Sequence, residues 1–242
     1  MRINMGTKSP KPANKPSKKT TTTTVVDHLT VHDVHILDSS GSMMGGKYSA
    51  AIEGINADII ASKEASKANP NLTSTMTIVE FDNRIKTHIF MQPIESVQPM
   101  KYKIMGNTTA LFQAIGETIQ TLIRNKNVED KVLMKIFTDG GENSSTGIYS
   151  ANIGGGCKAL SDLIKEAEAK HNFTITFVGT KDDTRTMIDK LGVDVSNTLV
   201  HENTASSVKM SMDKTVASRS AYLMSAFAGE DVSKGFYSKT VN

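Results

Sequence analysis

The chain has 242 residues with an ordinary apolar fraction of 38%, and its single cysteine, Cys157, excludes an intrachain disulfide. It contains no run of the roughly 18 apolar residues that a membrane helix needs, and its first residues lack the apolar core of a signal peptide. We therefore expect a cytoplasmic protein, in a cell or in an infected host.

The formal net charge of +3 is unevenly distributed. Residues 1–27 carry six basic side chains and one acidic side chain, which leaves 22 basic and 24 acidic side chains for the rest of the chain. The segment 1–27 is rich in Lys, Pro and Thr and has no apolar periodicity, so we predict a disordered basic tail. Nucleic-acid binding is not expected, except for a weak contact through this tail.

Apolar residues return at Val25 and predict a strand that ends at Leu37. Apolar positions at helical spacing then predict a helix that ends near Ala68, before an Asn-Pro pair. Residues 76–81 alternate as a strand, and residues 85–89 follow a turn signal as the return strand of a hairpin.

A polar turn at residues 106–109 precedes a helix whose apolar residues, from Leu111 to Ile123, share one face. The later predicted elements are a strand at 132–137, a helix around 160–167, a strand at 173–178, a short helix at 182–191, a short strand at 198–200 and a helix at 206–224. This alternation predicts an α/β domain at residues 28–227, with a mostly parallel sheet and helices on both faces. Residues 228–242 are predicted to be a loose C-terminal tail.

Side chains with oxygen donors follow two of the predicted strands. Asp38, Ser40 and Ser42 occupy alternate positions after the first strand, and Asp139 follows the strand at 132–137. Ligands of such sheets bind beyond the carboxyl ends of the strands, so these residues are expected at one edge. Hydroxyl and carboxylate oxygens suit a hard cation such as Mg²⁺.

The turn before the second long helix can contribute a further hydroxyl at this edge. Thr109 is the better candidate, although Thr108 also remains open. A simpler interpretation is that one of these threonines caps the helix through its side chain. The Asp139-Gly140 pair has a similarly simple interpretation, because Asp-Gly is common in turns.

Taken together, Asp38-Ser39-Ser40-Gly41-Ser42, the distant Thr109 and Thr138-Asp139-Gly140 resemble the metal-ion-dependent adhesion site of von Willebrand factor type A domains. That family's pattern is Asp-x-Ser-x-Ser, then a Thr, then an Asp in a Thr-Asp-Gly context. Asn107 and Thr108 replace glycines that are usual in the family. The resemblance covers about residues 28–227 and is greatest to bacterial and bacteriophage members.

The resemblance implies a Rossmann-like, doubly wound sheet with one antiparallel edge strand. It also implies a metal site formed by Asp38, Ser40, Ser42, Thr109 and Asp139, which would hold Mg²⁺, with Mn²⁺ or Ca²⁺ as alternatives. In the family, the metal binds a Glu or Asp carboxylate of a partner protein, so we expect a protein-interaction module and not an enzyme. Neither the oligomeric state nor the partner follows from the sequence.

Two alternatives come from other classes of protein. A Mg²⁺-dependent hydrolase or phosphotransferase could use the same ion to polarise a phosphoryl oxygen. The sequence has no Asp-x-Asp after the first strand and no Gly-x-Ser-x-Gly elbow to support that chemistry. The second alternative is a structural protein whose metal site has no function.

Overall fold

The computed structural model describes residues 26–101, 106, 108–150 and 155–238, so nearly all of the predicted basic tail lies outside the described residues. In the described part, the strands are β1 (Leu29–Asp38), β2 (Leu72–Phe81), β3 (Ile85–Pro93), β4 (Lys131–Phe137), β5 (Phe173–Gly179) and β6 (Thr198–Val200). The helices are α1 (Lys47–Ala68), α2 (Leu111–Asn125), α3 (Gly156–Lys170), α4 (Lys181–Thr186) and α5 (Ala205–Phe227). No helix within these ranges is long and apolar enough to cross a bilayer.

The strands form one sheet in the order β3-β2-β1-β4-β5-β6. β3 pairs antiparallel with β2 at one edge, and every other pairing is parallel. The central position of β1 agrees with its sequence, because nearly all of its residues are buried on both faces. The predicted mostly parallel sheet with one antiparallel edge strand is confirmed.

Alternate residues of the central strands contribute to two separate apolar layers. Leu37 of β1 packs in the layer beneath α1 and α5, with Ile55 and Met212 from those helices. Ile36 packs in the opposite layer, with Ile115 of α2 and Ile164 of α3. The sheet is therefore covered by helices on both faces.

A cluster of buried charges lies within the layer beneath α1 and α5. The Arg219 guanidinium of α5 donates to both carboxylate oxygens of Asp33 on β1, at 2.7–3.3 Å. Lys135 of β4 donates to Asp33 at 2.8 Å and also to Asp58 of α1. His35 forms a further bond to Asp58 at 2.8 Å. The cluster therefore joins two helices to two central strands.

The pKa shifts in this cluster follow from burial and ion pairing. Burial alone would raise the pKa of Asp33, but the Arg219 and Lys135 charges hold it below its usual value. The pKa of Asp58 is also lowered, because the Lys135 charge and the His35 hydrogen bond outweigh its burial. Burial lowers the pKa of His35, so at neutral pH the cluster contains two carboxylates balanced by two cations.

The segment after α5 differs from the predicted loose tail. Val232, Phe236 and Tyr237 are buried, and Phe236 packs edge-on against both Tyr222 of α5 and Tyr237. The Thr174 hydroxyl of β5 donates to the Val232 carbonyl at 2.9 Å. The described residues of this segment therefore extend the core, because Phe236 and Tyr237 join the apolar layer that contains Tyr222 of α5.

The charge cluster predicts a large effect for Arg219→Met. This change leaves the buried Asp33 carboxylate with less compensation, so we expect the free energy of unfolding to fall by roughly 3–5 kcal/mol. Urea unfolding, followed by circular dichroism, measures this change in the free energy of unfolding. Arg185→Met is the control, because the exposed Arg185–Asp189 pair contributes about 1 kcal/mol or less. Equal stability of the two variants would contradict an energetic role for the cluster.

Candidate metal site

Three segments meet at the carboxyl edge of the sheet. The first follows β1 and contains Asp38, Ser40 and Ser42, the second follows β4 and contains Asp139, and the third precedes α2 and contains Thr109. β1 and β4 are parallel neighbours with Leu37 opposite Phe137. The loops after these two strands therefore leave the sheet at the same level, as expected for a ligand site in such a fold.

The loop after β1 is organised by its own carboxylate. The Ser40 backbone N–H donates to Asp38 Oδ1 at 2.7 Å. Residues Gly41–Met43 form a single 3₁₀ turn, and the Ser40 and Ser42 hydroxyl oxygens lie 2.9 Å apart. Asp38 and Ser40 are buried and Ser42 is exposed, so the hydroxyl pair reaches from the sheet edge to solvent.

Gly140 shows how closely the other two segments approach this loop. A Cβ at Gly140 would lie 2.9 Å from Ser42 Oγ and 3.4 Å from Thr109 Oγ1. Hydroxyl groups from two separate segments thus face the same backbone position, directly after Asp139. Thr109 is fixed there because its N–H donates to Asn143 Oδ1 at 2.8 Å and its carbonyl accepts from the Asn143 N–H at 3.0 Å.

A side-chain hydrogen bond joins the loops after β1 and β4. The Thr138 hydroxyl donates to Asp38 Oδ2. Burial, with a smaller contribution from the negative charge of Asp139, raises the pKa of Asp38 to about 6, although hydrogen bonds from Thr138 and Ser40 oppose the shift. The Asp38 carboxylate is therefore held in place by neutral donors, and no cation of the described residues forms an ion pair with it.

Asp139 has a different environment. Its side chain is fully buried, and Lys47 at the start of α1 forms an ion pair with Oδ2. Within the described residues, Oδ2 has this ion pair, whereas no hydrogen-bond donor reaches Oδ1. A buried carboxylate oxygen in this condition is costly unless another group compensates it.

The interpretation of Thr109 as a helix cap is not what the structure shows. Ala110 occupies the N-cap position of α2, and no side chain at that position makes a capping bond. Thr109 is buried beside Gly140, whereas Thr108 is exposed. The geometry therefore favours Thr109 over Thr108 as the hydroxyl of the site.

Glu142 supplies the missing cap from the loop after β4. Its Oε2 accepts from the Phe112 N–H at 2.8 Å, in the first turn of α2. Its Oε1 accepts from the N–H groups of Ser144 and Ser145, at 3.0 and 2.7 Å. A carboxylate at a helix N-terminus is also favoured by the helix dipole. Glu142 therefore holds the second and third segments of the site together.

Sequence reasoning did not assign roles to Thr138, Glu142 or Lys47. Thr138 and Glu142 belong to the same Thr-Asp-Gly-Gly-Glu-Asn stretch as Asp139. Their position beside a candidate ligand could therefore have indicated that they support the site. Lys47 had no such signal, because its contact with Asp139 depends on how α1 packs against β4.

The donor set suits a hard cation. The site offers two carboxylates and three hydroxyls, and oxygen donors of this kind are those that Mg²⁺ and similar ions prefer. In the described part of the chain, no group of three or more His, Cys, Asp or Glu side chains is arranged to hold a metal. A cation here would therefore depend on the hydroxyls of Ser40, Ser42 and Thr109. The unpartnered oxygen of Asp139 supports the fit.

Solved structures with the same architecture were identified by structural comparison. A von Willebrand factor type A protein from Catenulispora acidiphila superposes with a TM-score of 0.54 at 15% sequence identity, over 80% of this chain and 43% of its own. The ArnB paralog VWA2 from Sulfolobus acidocaldarius gives 0.52 at 17% identity, over 78% and 46%. The fold is that of a von Willebrand factor type A domain. The pilus adhesin SpaC from Lactobacillus rhamnosus GG gives 0.60 at 12% identity, over 79% and 30%.

The similarity is one of fold. The chain spans less than half the length of each of these three proteins. No protein-family model and no curated protein sequence matches it. The functions of the neighbours therefore do not transfer directly, and the function of this chain has to be inferred from its own site.

The close approach of Ser42 and Thr109 to Gly140 allows a test of whether these hydroxyls bind a cation. In Gly140→Ala the new methyl would displace the Ser42 hydroxyl, so we expect Mg²⁺ affinity, measured by calorimetry, to fall about ten- to a hundredfold. Gly141→Ala is the matched control, because a Cβ there meets nothing nearer than Asp183 Oδ1 at 3.9 Å. Equal affinity of the two variants would show that a cation does not use these hydroxyls.

Proposed function

We propose that this chain is a metal-dependent protein-recognition module. Asp38, Ser40, Ser42, Thr109 and Asp139 would hold a divalent cation, which we propose to be Mg²⁺. The observation that carries the proposal is the convergence of two buried carboxylates and three hydroxyls from three segments at one sheet edge, with an Asp139 oxygen that no described donor reaches.

Each residue has a role that follows from its contacts. The hydroxyls of Ser40, Ser42 and Thr109 are neutral donors at the open side of the site. Asp38 orders the Ser40 backbone and is itself held by a neighbouring hydroxyl. When bound, the cation supplies a Lewis-acidic position at the protein surface. The two carboxylates formally balance the charge of a divalent cation, but the Lys47 ammonium beside Asp139 would leave the loaded site with a net positive charge.

This excess charge explains why the proposed ligand is a carboxylate. A Glu or Asp of a partner protein supplies both an oxygen donor and the missing negative charge. Five side-chain oxygens suit the six-coordinate preference of Mg²⁺, and Mn²⁺ has a similar preference for oxygen ligands. Ca²⁺ takes six to eight oxygens, so it would need up to three further donors, whereas Mg²⁺ would need one.

The surface beside the site offers apolar contacts to such a partner. Met44, directly after the 3₁₀ turn, is 56% exposed. A cavity of about 270 Å³ opens next to Gly141 and is lined in part by Leu111, Phe112 and Met187. An exposed apolar side chain and an apolar recess beside a polar anchor are typical of interaction sites. The same fold occurs in a pilus adhesin, so it is compatible with a binding role.

Metal binding is the first test of the proposal. Calorimetric titration should show one divalent cation bound per chain. Thr109→Ala and Asp38→Asn each remove a proposed ligand, so we expect each to weaken binding at least about a hundredfold. Thr108→Ala is the matched control, because Thr108 is the exposed neighbour of Thr109. A wild-type chain that binds neither Mg²⁺ nor Mn²⁺ would exclude the proposed function.

Partner chemistry is tested with a library of displayed random peptides. We expect peptides selected in Mg²⁺ to share a Glu or Asp, and we expect EDTA to release them, because the carboxylate would bind through the cation. The same selection on Asp38→Asn should yield no such peptides. Retention of the peptides in EDTA would contradict recognition through the metal.

A phosphatase assay tests the alternative of an enzyme. If the chain hydrolyses a phosphomonoester in Mg²⁺ and Asp38→Asn abolishes this hydrolysis, the result would favour an enzyme.

A further inference from the structure

Lys47 is an unusual residue to find at the start of α1. A positive charge at a helix N-terminus is opposed by the helix dipole, and burial of an ammonium group is costly unless it is paired. The Lys47 side chain is nevertheless only 10% exposed, and its Nζ faces the fully buried Asp139 carboxylate. The interaction with Asp139 therefore offsets both the unfavourable helix dipole and the cost of burial, which explains how the ammonium is retained at the start of α1.

The ammonium contacts one of the five proposed ligands directly. Lys47 Nζ pairs with Asp139 Oδ2, and it is the only ion-pair partner of Asp139 within the described residues. A divalent cation at the proposed site would act on the same carboxylate. Two cations that share a single carboxylate at close range repel one another, and in a poorly solvated site this repulsion is strong.

Lys47 also has a second acceptor within reach. Its Nζ donates to Asn203 Oδ1 at 2.6 Å, in the loop between β6 and α5. This amide oxygen is neutral, so it does not depend on Asp139. The ammonium can therefore remain hydrogen-bonded at Asn203 when the attraction of Asp139 is shared with another cation.

We propose that Lys47 is a tethered counter-cation that competes with the divalent metal for Asp139 and so weakens metal binding. This inference rests on the proposed function, because it assumes a cation at the five-residue site. In the metal-free protein Lys47 neutralises Asp139, and metal binding releases Lys47 to Asn203. Lys47 thereby determines the cation concentration at which the site fills.

Lys47→Met removes the charge and retains the aliphatic chain. We expect it to lower the Mg²⁺ dissociation constant, measured by calorimetry, at least about tenfold, because the competing charge is gone. The metal-free variant should also unfold at a lower temperature than the metal-free wild type, since Asp139 loses its partner. In an Asp139→Asn background the substitution should change affinity much less, because the shared carboxylate is absent and only the direct repulsion between the two cations remains.

Lys63→Met is the matched control. Lys63 lies on the same helix and donates to the Val97 carbonyl at 2.7 Å, so its removal changes the net charge equally without a contact at Asp139. We expect its dissociation constant to stay within about twofold of the wild type, because Lys63 lies sixteen residues along α1 from Lys47 and charges beyond the Debye length are largely screened. Lys47→Gln provides a second neutral variant if Lys47→Met folds poorly.

Lysine acetylation gives an independent readout in the wild-type chain. With a water-soluble acetylating reagent and mass spectrometry, Lys47 should react slowly without metal and faster with saturating Mg²⁺, while the reactivity of Lys63 should not change.

The affinity measurements separate failure of the competition from failure of the proposed function. If the wild type binds Mg²⁺ but Lys47→Met and Lys47→Gln bind it equally or more weakly, competition is wrong and the proposed function stands. If neither the wild type nor the two Lys47 variants bind a divalent cation, the proposed function itself fails. Binding by the Lys47 variants alone would support competition.

Discussion

The parallel pairing of β1 with β4 is the constraint on which the candidate site depends. It sets Leu37 opposite Phe137, so the loops that carry Asp38 and Asp139 begin at the same level and become joined through Thr138. The third segment is held to the same edge by a different strand, because the Ala110 N–H donates to the Asp82 carbonyl at the end of β2, at 2.8 Å. A slip of either strand pairing would separate the donors.

The buried carboxylates in the core are balanced differently from those at the carboxyl edge of the sheet. In the core, the carboxylates of Asp33 and Asp58 are balanced by Lys135 and Arg219, all within hydrogen-bond distance. At the edge, Asp38 is held by neutral donors, and Asp139 has an ion pair with a single lysine. In the core cluster, each buried carboxylate is thus balanced by a buried cation of the chain. The fold leaves negative charge in excess at the point where an external cation can reach it.

The alternation of strands and helices was enough to predict the sheet, since each element has its own periodicity. The five candidate ligands stay a prediction from their spacing in the sequence, and their segments meet at the edge where such ligands were expected. Features set by tertiary packing were not predictable. The cap of α2 by Glu142, the pairing of Lys47 with Asp139 and the burial of Phe236 each join segments distant in sequence. Local propensity indicated a threonine cap and a loose tail, and tertiary contacts overrode both.

Lys47 affects the second step of the proposed recognition as well as the first. Without a metal, the two carboxylates and Lys47 give the site a net negative charge, which repels a partner carboxylate. With a divalent cation bound, the same groups have a net positive charge, which attracts it. Without Lys47, the loaded site would be neutral, and this attraction would be weaker. Metal binding changes the charge of the site by two units with or without Lys47, but only with Lys47 does the sign reverse, so that repulsion of a partner carboxylate becomes attraction.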